Sequence, residues 1–214
     1  MKIIFKYDQE KDIRCLLKYG KASGNYSTDT EVYKKLVNKY GENPTDLEIA
    51  DFIKNYIILN KIDIQKWLEN YQKDWDNISQ KYQVIAEGIF NVQLEKDVNV
   101  YLTVNDRRPY SIENNLFYVS LPPYEKRMRK TVMHELWHFY TWYKFGIEWK
   151  EKLGKEKYND LNEALTVLLN IECRDLLPEG VLDEGYTQHE LLRDKILKTW
   201  SREKDIEKLW VNLV

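Results

Sequence analysis

Two of the three histidines in the chain lie in one short motif, His134-Glu135-Leu136-Trp137-His138. On an α-helix, residues four apart lie on the same face, so both imidazoles can point a nitrogen at a single Zn²⁺. Glu135, directly after the first histidine, can reach a water held on that metal and take its proton. The motif therefore predicts a catalytic zinc site for hydrolysis. The alternative is a buried helix whose histidines only form hydrogen bonds.

The residues around the motif are typical of a helix. Prolines stand upstream in Pro122-Pro123-Tyr124-Glu125, and proline is tolerated in a first helical turn, where its missing N–H leaves no helical bond unmade. Gly146 predicts the end of the helix, because glycine is favoured just after the last turn. Apolar side chains line the predicted helix at Val132, Met133, Leu136, Trp137 and Tyr140.

A catalytic zinc site needs three protein ligands, and Glu163 is the first candidate for the third. It lies near the predicted start of a second helix, for which Asn159 or Asp160 would be the N-cap. A glutamate on a packed helix, next to the small Ala164, has little reason to lie there without a partner. The alternative explanation is attraction to the positive end of the helix dipole. Glu172 is a weaker candidate, better suited to supporting a ligand or to a buried ion pair.

The metzincin continuation of the motif is absent, since Thr141 and Lys144 occupy the positions of its glycine and third histidine. His134-Glu135-x-x-His138 followed by Asn162-Glu163-Ala164 instead resembles the gluzincin metallopeptidases, the thermolysin-like branch of the zincins. The separation from His138 to Glu163, 163 − 138 = 25 positions, suits such a pair of helices. The resemblance covers roughly residues 98–177. It implies that His134, His138 and Glu163 are zinc ligands and that Glu135 is the general base.

One position departs from the thermolysin-like pattern. Those enzymes carry an aspartate one turn after the glutamate ligand, where it orients a zinc-bound histidine, whereas this chain has Val167. Asn170, Thr166 and Asp160 are the candidates to take over that role.

His189 is the only other histidine and has two candidate roles. It could be the third metal ligand in place of Glu163, which would give a three-histidine site. It could instead stabilise the negative charge that develops on a substrate carbonyl, as a histidine or tyrosine does in gluzincins, and Tyr186 could do the same. The alternative is an exposed histidine at a polar helix start.

Composition restricts the function classes. The 214 residues carry a net charge of −2 with a sequence pI near 6.0, which favours binding to neither nucleic acid nor an anionic membrane. Cys15 and Cys173 belong to no C-x-x-C pair, so they indicate neither a disulfide framework nor a thiolate zinc site. No apolar run reaches the roughly 18 residues of a membrane span, and the segment Met1–Asp8 becomes polar too soon for a secretory signal. We therefore expect a cytoplasmic protein.

Periodicity predicts an α+β fold that is predominantly helical, in which a zincin-like region has a small sheet next to the motif helix. Helices are predicted at 29–40, from the capping box at Thr45-Asp46-Leu47-Glu48, and at about 62–82. Strands are predicted at 98–104 and 116–121. The predicted organisation is a helical N-terminal region, 1–85, and a metallopeptidase region, 86–214.

The sequence thus predicts a zinc-dependent metallopeptidase that acts on a peptide or protein substrate. One alternative is a regulatory protease dedicated to a single protein partner, with the N-terminal helices as its recognition surface. The other is a zincin-like binding or scaffold protein that holds zinc without turnover. The oligomeric state is left open by the sequence.

Overall fold

Helices contain most of the residues that the computed structural model describes, which are 1–22, 28–121 and 127–214. They are α1 Gln9–Gly20, α2 Glu31–Tyr40, α3 Asp46–Leu59, α4 Ile64–Phe90, α5 Met128–Leu153, α6 Lys155–Leu165, α7 Leu169–Glu172, α8 Glu190–Trp200 and α9 Ile206–Leu213. The strands β1 Ile3–Lys6, β2 Val98–Thr103, β3 Tyr110–Ser111 and β4 Leu116–Ser120 form one mixed sheet. The predicted α+β class with a predominance of helix is confirmed.

The sheet has the order β1-β2-β4-β3. β2 pairs in parallel with β1 and with β4, while β3 runs antiparallel to β4. β2 and β4 lie where alternation and apolar runs predicted strands. β1 was not predicted, because it has only four residues and its pairing partner is far along the chain, with Ile3 opposite Val98.

Local capping chemistry sets two of the helix boundaries. The predicted capping box is confirmed at α3, where the Thr45 side chain accepts from the backbone of Glu48 and the Glu48 carboxylate accepts from the backbone of Thr45. Gly41 ends α2 with a φ of 84°, a left-handed conformation that glycine adopts without the penalty of a side chain.

The described chain divides into two units. One contains Met1–Asp74 and Lys96–Glu125, and the other contains Trp75–Glu95 and Lys126–Val214, so one of the boundaries falls within α4. The division between residues 85 and 86, drawn from the change in periodicity, stays a prediction.

In the first unit, a buried carboxylate joins α1 to the end of β2. The side chain of Asp12 has no solvent exposure, and its Oδ1 accepts hydrogen bonds from the Thr103 hydroxyl at 2.6 Å and the Val104 amide at 3.0 Å. Burial raises the pKa of Asp12 to about 6, although these hydrogen bonds act in the opposite direction.

In the second unit, aromatic packing fixes the motif helix α5. The Phe90 ring stacks on Tyr140 at a centroid distance of 5.8 Å and meets Trp137 edge-on at 5.0 Å. The Tyr82 hydroxyl donates a 2.9 Å hydrogen bond to the main-chain oxygen of Met133. The residues between and beside the two histidines are therefore held by the core, which limits how far the imidazoles can move.

The prediction that the motif helix ends at Gly146 is wrong, because α5 continues to Leu153. A Cβ at Gly146 would lie 2.8 Å from the indole of Trp142, so this glycine makes room for a ring instead of ending the helix. Gly154, with a φ of 78°, is the residue at which α5 stops. The predicted start at Pro122-Pro123-Tyr124-Glu125 lies outside the described residues.

Among the described residues, no helix combines the length and the apolar composition needed to cross a bilayer. Cys15 and Cys173 are both buried and not disulfide-bonded. Burial raises the pKa of each thiol to about 12, so both thiols stay protonated near neutral pH.

Candidate metal centre

The two histidines of the motif project from the same face of α5. Their Nε2 atoms are 3.0 Å apart, and the ring centroids of His134 and His138 are separated by 4.6 Å with nearly perpendicular planes. Because the residues are four apart on a helix, this convergence follows directly from helical geometry. His138 is fully buried, whereas the side chain of His134 is 17% exposed.

Glu163 reaches the histidine pair from α6, which packs against α5. The prediction that Asn159 or Asp160 caps this helix is wrong, because α6 begins at Lys155, directly after Gly154. Glu163 therefore lies in the last turn of α6. A carboxylate there gains nothing from the positive end of the helix dipole, so that explanation of Glu163 does not hold.

The three side chains form a triangle, in which the two imidazoles approach different oxygens of the Glu163 carboxylate. Nε2 of His134 is 3.5 Å from Oε2 of Glu163, and Nε2 of His138 is 3.4 Å from Oε1 of the same carboxylate. Ligand atoms of His134, His138 and Glu163 all lie within 4.8 Å of one another, so the group could hold a metal ion.

The dimensions of this triangle suit a small tetrahedral cation. Zinc–ligand bonds of about 2.0–2.1 Å in a tetrahedron place neighbouring ligand atoms about 3.3–3.4 Å apart. The observed separations of 3.0, 3.4 and 3.5 Å are close to that value, with one imidazole facing each oxygen of the Glu163 carboxylate. Oε2 of Glu163 is also buried without a hydrogen-bond donor among the described residues. A buried carboxylate oxygen in this position is one that a cation would satisfy.

An aspartate outside the motif fixes the orientation of His134. Nδ1 of His134 lies 2.7 Å from Oδ2 of Asp183. Since a carboxylate only accepts, Nδ1 carries a proton and donates it, so in the neutral imidazole the Nε2 lone pair is directed at His138 and Glu163. Histidines that bind metals are commonly held in this way by a carboxylate.

Asp183 is itself held by side chains that sequence reasoning had proposed for its role. The Thr166 hydroxyl donates to Oδ1 of Asp183 at 2.8 Å. The Asn170 amide donates to the main-chain oxygen of Asp183 at 2.8 Å, and its carbonyl accepts from the Asp183 amide at 2.7 Å. Thr166 and Asn170 thus support the aspartate instead of replacing it. Asp183 was missed because it follows Glu163 by twenty residues, in an irregular segment that carries no periodic signal.

The charges of the cluster favour a cation. Burial lowers the pKa of His134, but its hydrogen bond to Asp183 and its contact with the Glu163 carboxylate outweigh this effect, so the pKa is raised. Burial lowers the pKa of His138, and the neighbouring His134 adds to this effect. Burial raises the pKa of Glu163, yet the two imidazoles outweigh it and hold the pKa below its usual value. The pKa of Asp183 is lowered too, by its contact with His134 against the effect of burial. Two ionised carboxylates therefore face the imidazoles.

The sequence neighbours of two ligands, Glu135 after His134 and Asn162 before Glu163, also act on the imidazoles. Glu135 is 7% exposed, and its negative charge contributes to the raised pKa of His134. Asn162, the residue before Glu163, is buried, and its side chain acts to raise the pKa of His138 against the effect of burial. Each histidine thus has a polar side chain near its ring.

His189 does not join the group formed by His134, His138 and Glu163. It is buried, and its Nε2 lies 3.0 Å from Oδ1 of Asp160, one turn before Glu163 on α6. Tyr186 is 53% exposed and meets the His189 ring edge-on at 5.7 Å. The expectation of an exposed histidine is wrong, because the imidazole packs against α6.

Glu172 forms an ion pair away from the triangle. Its Oε1 accepts from the indole nitrogen of Trp200 at 2.8 Å and from the ammonium group of Lys204 at 2.7 Å. The sequence suggested a buried ion pair for Glu172, but the side chain of Lys204 is 62% exposed, so the pair lies at the surface.

Comparisons with known proteins add no further assignment. No family model, curated protein or solved structure matches the chain.

Proposed function

We propose that the protein is a zinc-dependent metallopeptidase with His134, His138 and Glu163 as the metal ligands. The observation that carries the proposal is the convergence of two imidazole nitrogens and the Glu163 carboxylate, with separations of 3.0 to 3.5 Å that are close to the ligand spacing of a tetrahedral zinc site. Three protein ligands leave a fourth position for water or substrate. The partial exposure of His134 and Glu163, 17% and 24%, is consistent with access to that position.

Bound zinc would supply a Lewis acid that polarises a carbonyl and lowers the pKa of a water near it. The chain itself contributes the groups that hold and move protons. Asp183 retains the Nδ1 proton of His134, which keeps Nε2 available as a ligand. Glu135, adjacent to His134, takes a proton from the attacking water and passes it to the leaving amine.

The negative charge that develops on the substrate carbonyl needs a donor, and His189 and Tyr186 are the candidates. Asp160 lies 3.0 Å from Nε2 of His189, one helical turn before Glu163. Peptide or protein remains the proposed substrate class.

The test combines metal content with hydrolysis. Zinc would be measured by elemental analysis of the parent protein and of the Glu163→Ala and Glu135→Gln variants, and hydrolysis would be followed on fluorescently labelled unfolded protein. We expect about one zinc per chain in the parent and in Glu135→Gln, and much less in Glu163→Ala. Hydrolysis by Glu135→Gln should fall by about 10²–10⁴-fold.

Three outcomes would count against the proposal in different ways. A parent that takes up no zinc, even after reconstitution, would remove the metal site. Full zinc content without hydrolysis of any substrate would favour the zincin-like scaffold. Undiminished hydrolysis by Glu135→Gln would exclude the proposed general base.

A further inference from the structure

Arg193 is a buried cation that contacts a neighbour of the proposed metal ligand His134. It belongs to α8, and its side chain is 7% exposed. A guanidinium in such a place needs full compensation by charge and hydrogen bonds. Its compensating partner is Asp183, the residue that holds His134.

The guanidinium contacts Asp183 at two places. Nη1 donates to Oδ1 of Asp183 at 3.1 Å and to the Thr166 hydroxyl oxygen at 3.2 Å. Nη2 donates to the main-chain oxygen of Asp183. A planar fork that engages both the carboxylate and the backbone of one residue fixes the side-chain rotamer of that residue. With Oδ1 occupied by Arg193 and Thr166, Oδ2 is the oxygen that faces His134.

The turn after Asp183 is shaped around the same guanidinium. Gly185 has a φ of 67°, a conformation that side chains rarely adopt. A Cβ at this position would lie 2.5 Å from Nη1 of Arg193 and 2.7 Å from its Cζ. The close approach of this backbone to Arg193 therefore depends on glycine, which is a separate observation from the hydrogen bonds.

We infer that Arg193 is a positioning residue of the metal centre, which sets the affinity for zinc through Asp183 and His134. Without the guanidinium, the buried Asp183 carboxylate loses its cation and can turn away from Nδ1. His134 would then be free to take other orientations and tautomers, in which Nε2 no longer meets the ion. This inference rests on the proposed function only in requiring that the three ligands bind zinc.

The experiment measures zinc affinity instead of hydrolysis. The dissociation constant for zinc would be determined by competition with a chromophoric chelator, for the parent, Arg193→Met and Arg193→Lys. Loss of residues that support metal ligands typically weakens metal binding by about 10–100-fold, and we expect Arg193→Met to fall in that range. Arg193→Lys, which keeps the charge but not the fork, should recover only part of the loss.

A matched control separates this effect from general destabilisation. Lys144, on α5 in the same unit, is 15% exposed and forms an ion pair with Glu207 of α9. Lys144→Met removes a largely buried cation that does not act on Asp183, so it should lower the melting temperature and leave zinc affinity unchanged. Equal loss of affinity in Lys144→Met and Arg193→Met would overturn the inference.

Gly185→Ala provides a second route, should Arg193→Met fail to fold. It displaces the guanidinium without removing any polar group, and it should weaken zinc binding in the same direction as Arg193→Met. Parent-like affinity in a folded Arg193→Met, or in Gly185→Ala if Arg193→Met does not fold, would overturn the inference and leave the proposed function intact. Absence of zinc binding in the parent would overturn both.

Discussion

His134 and Asp183 are joined by a 2.7 Å contact between Nδ1 and Oδ2, and this contact determines which imidazole nitrogen is available to an ion. The two residues are 49 positions apart. The proton on Nδ1 is held by a carboxylate that is 1% exposed, so bulk water does not compete for it. The geometry of the ligand triangle therefore depends on a residue outside the motif.

Replacing Asp183 by asparagine tests this dependence. Asparagine has one acceptor oxygen for two sets of donors, His134 on one side and Arg193 with Thr166 on the other, so one contact must be lost. We expect zinc affinity to fall by about 10–100-fold, measured by chelator competition. Asp175→Asn, at an exposed aspartate of the same unit, is the matched control and should bind zinc like the parent. Unchanged affinity in Asp183→Asn would show that the contact has no influence on the site.

Removal of the metal should lower the melting temperature only in a protein whose metal ligands are intact. An ion that binds only the folded protein stabilises it by about 2.7 kcal/mol at a free concentration 100 times its dissociation constant. The melting temperature of the parent should rise with added zinc and fall with a chelator. His138→Gln, which removes a ligand, should show neither change. Equal shifts in both proteins would place zinc binding elsewhere on the chain.

The buried Asp12 carboxylate should make the first unit less stable as the pH rises. Its folded pKa, raised to about 6, lies above the usual value of 3.8 for an aspartate, so the folded state holds the proton more tightly. The resulting stability is fully present below about pH 4 and is lost as the pH rises through about 6. Over that range the loss should be at most about 3 kcal/mol, because each tenfold change in proton affinity corresponds to about 1.4 kcal/mol.

Asp12→Asn isolates this contribution, since its amide oxygen can still accept from Thr103 and Val104. Between pH 4 and pH 7 the free energy of unfolding should fall more in the parent than in the variant. Denaturant titrations at several pH values would measure it. Parallel pH profiles for the two proteins would contradict the raised pKa.

Two glycines in helices of the second unit should respond oppositely to alanine. Gly88 in α4 has open space around its Cβ direction, so Gly88→Ala should stabilise by about 0.5–1 kcal/mol through helix propensity. At Gly146 the new methyl group would collide with the Trp142 indole, and overpacking of this kind costs about 1–3 kcal/mol. Thermal unfolding of the pair gives the comparison. A stabilised Gly146→Ala would mean that the indole can move aside without cost.

Short-range patterns were enough to predict part of the molecule. The period of the helix predicted that His134 and His138 share a face, and the capping box at Thr45 predicted the start of α3. Gly146 and Gly154 have similar local signals, but Gly146 lies against the Trp142 indole within α5, whereas Gly154 adopts the positive φ at which the helix ends. β1 could not be predicted, because it forms only by pairing with residues 95 positions later. Asp183 was missed for the same reason, since its partner His134 is distant in sequence.

The metal ligands come earlier in the chain than the residues that orient them, and this order has a consequence for protein synthesis. His134, His138 and Glu163 all precede Asp183 and Arg193, so the ligands leave the ribosome before the residues that orient them. A nascent chain at that stage has a ligand set but no carboxylate to hold the first imidazole. We therefore expect tight zinc binding, and with it the proposed hydrolysis, to arise only after residue 193 has been added and folded into place.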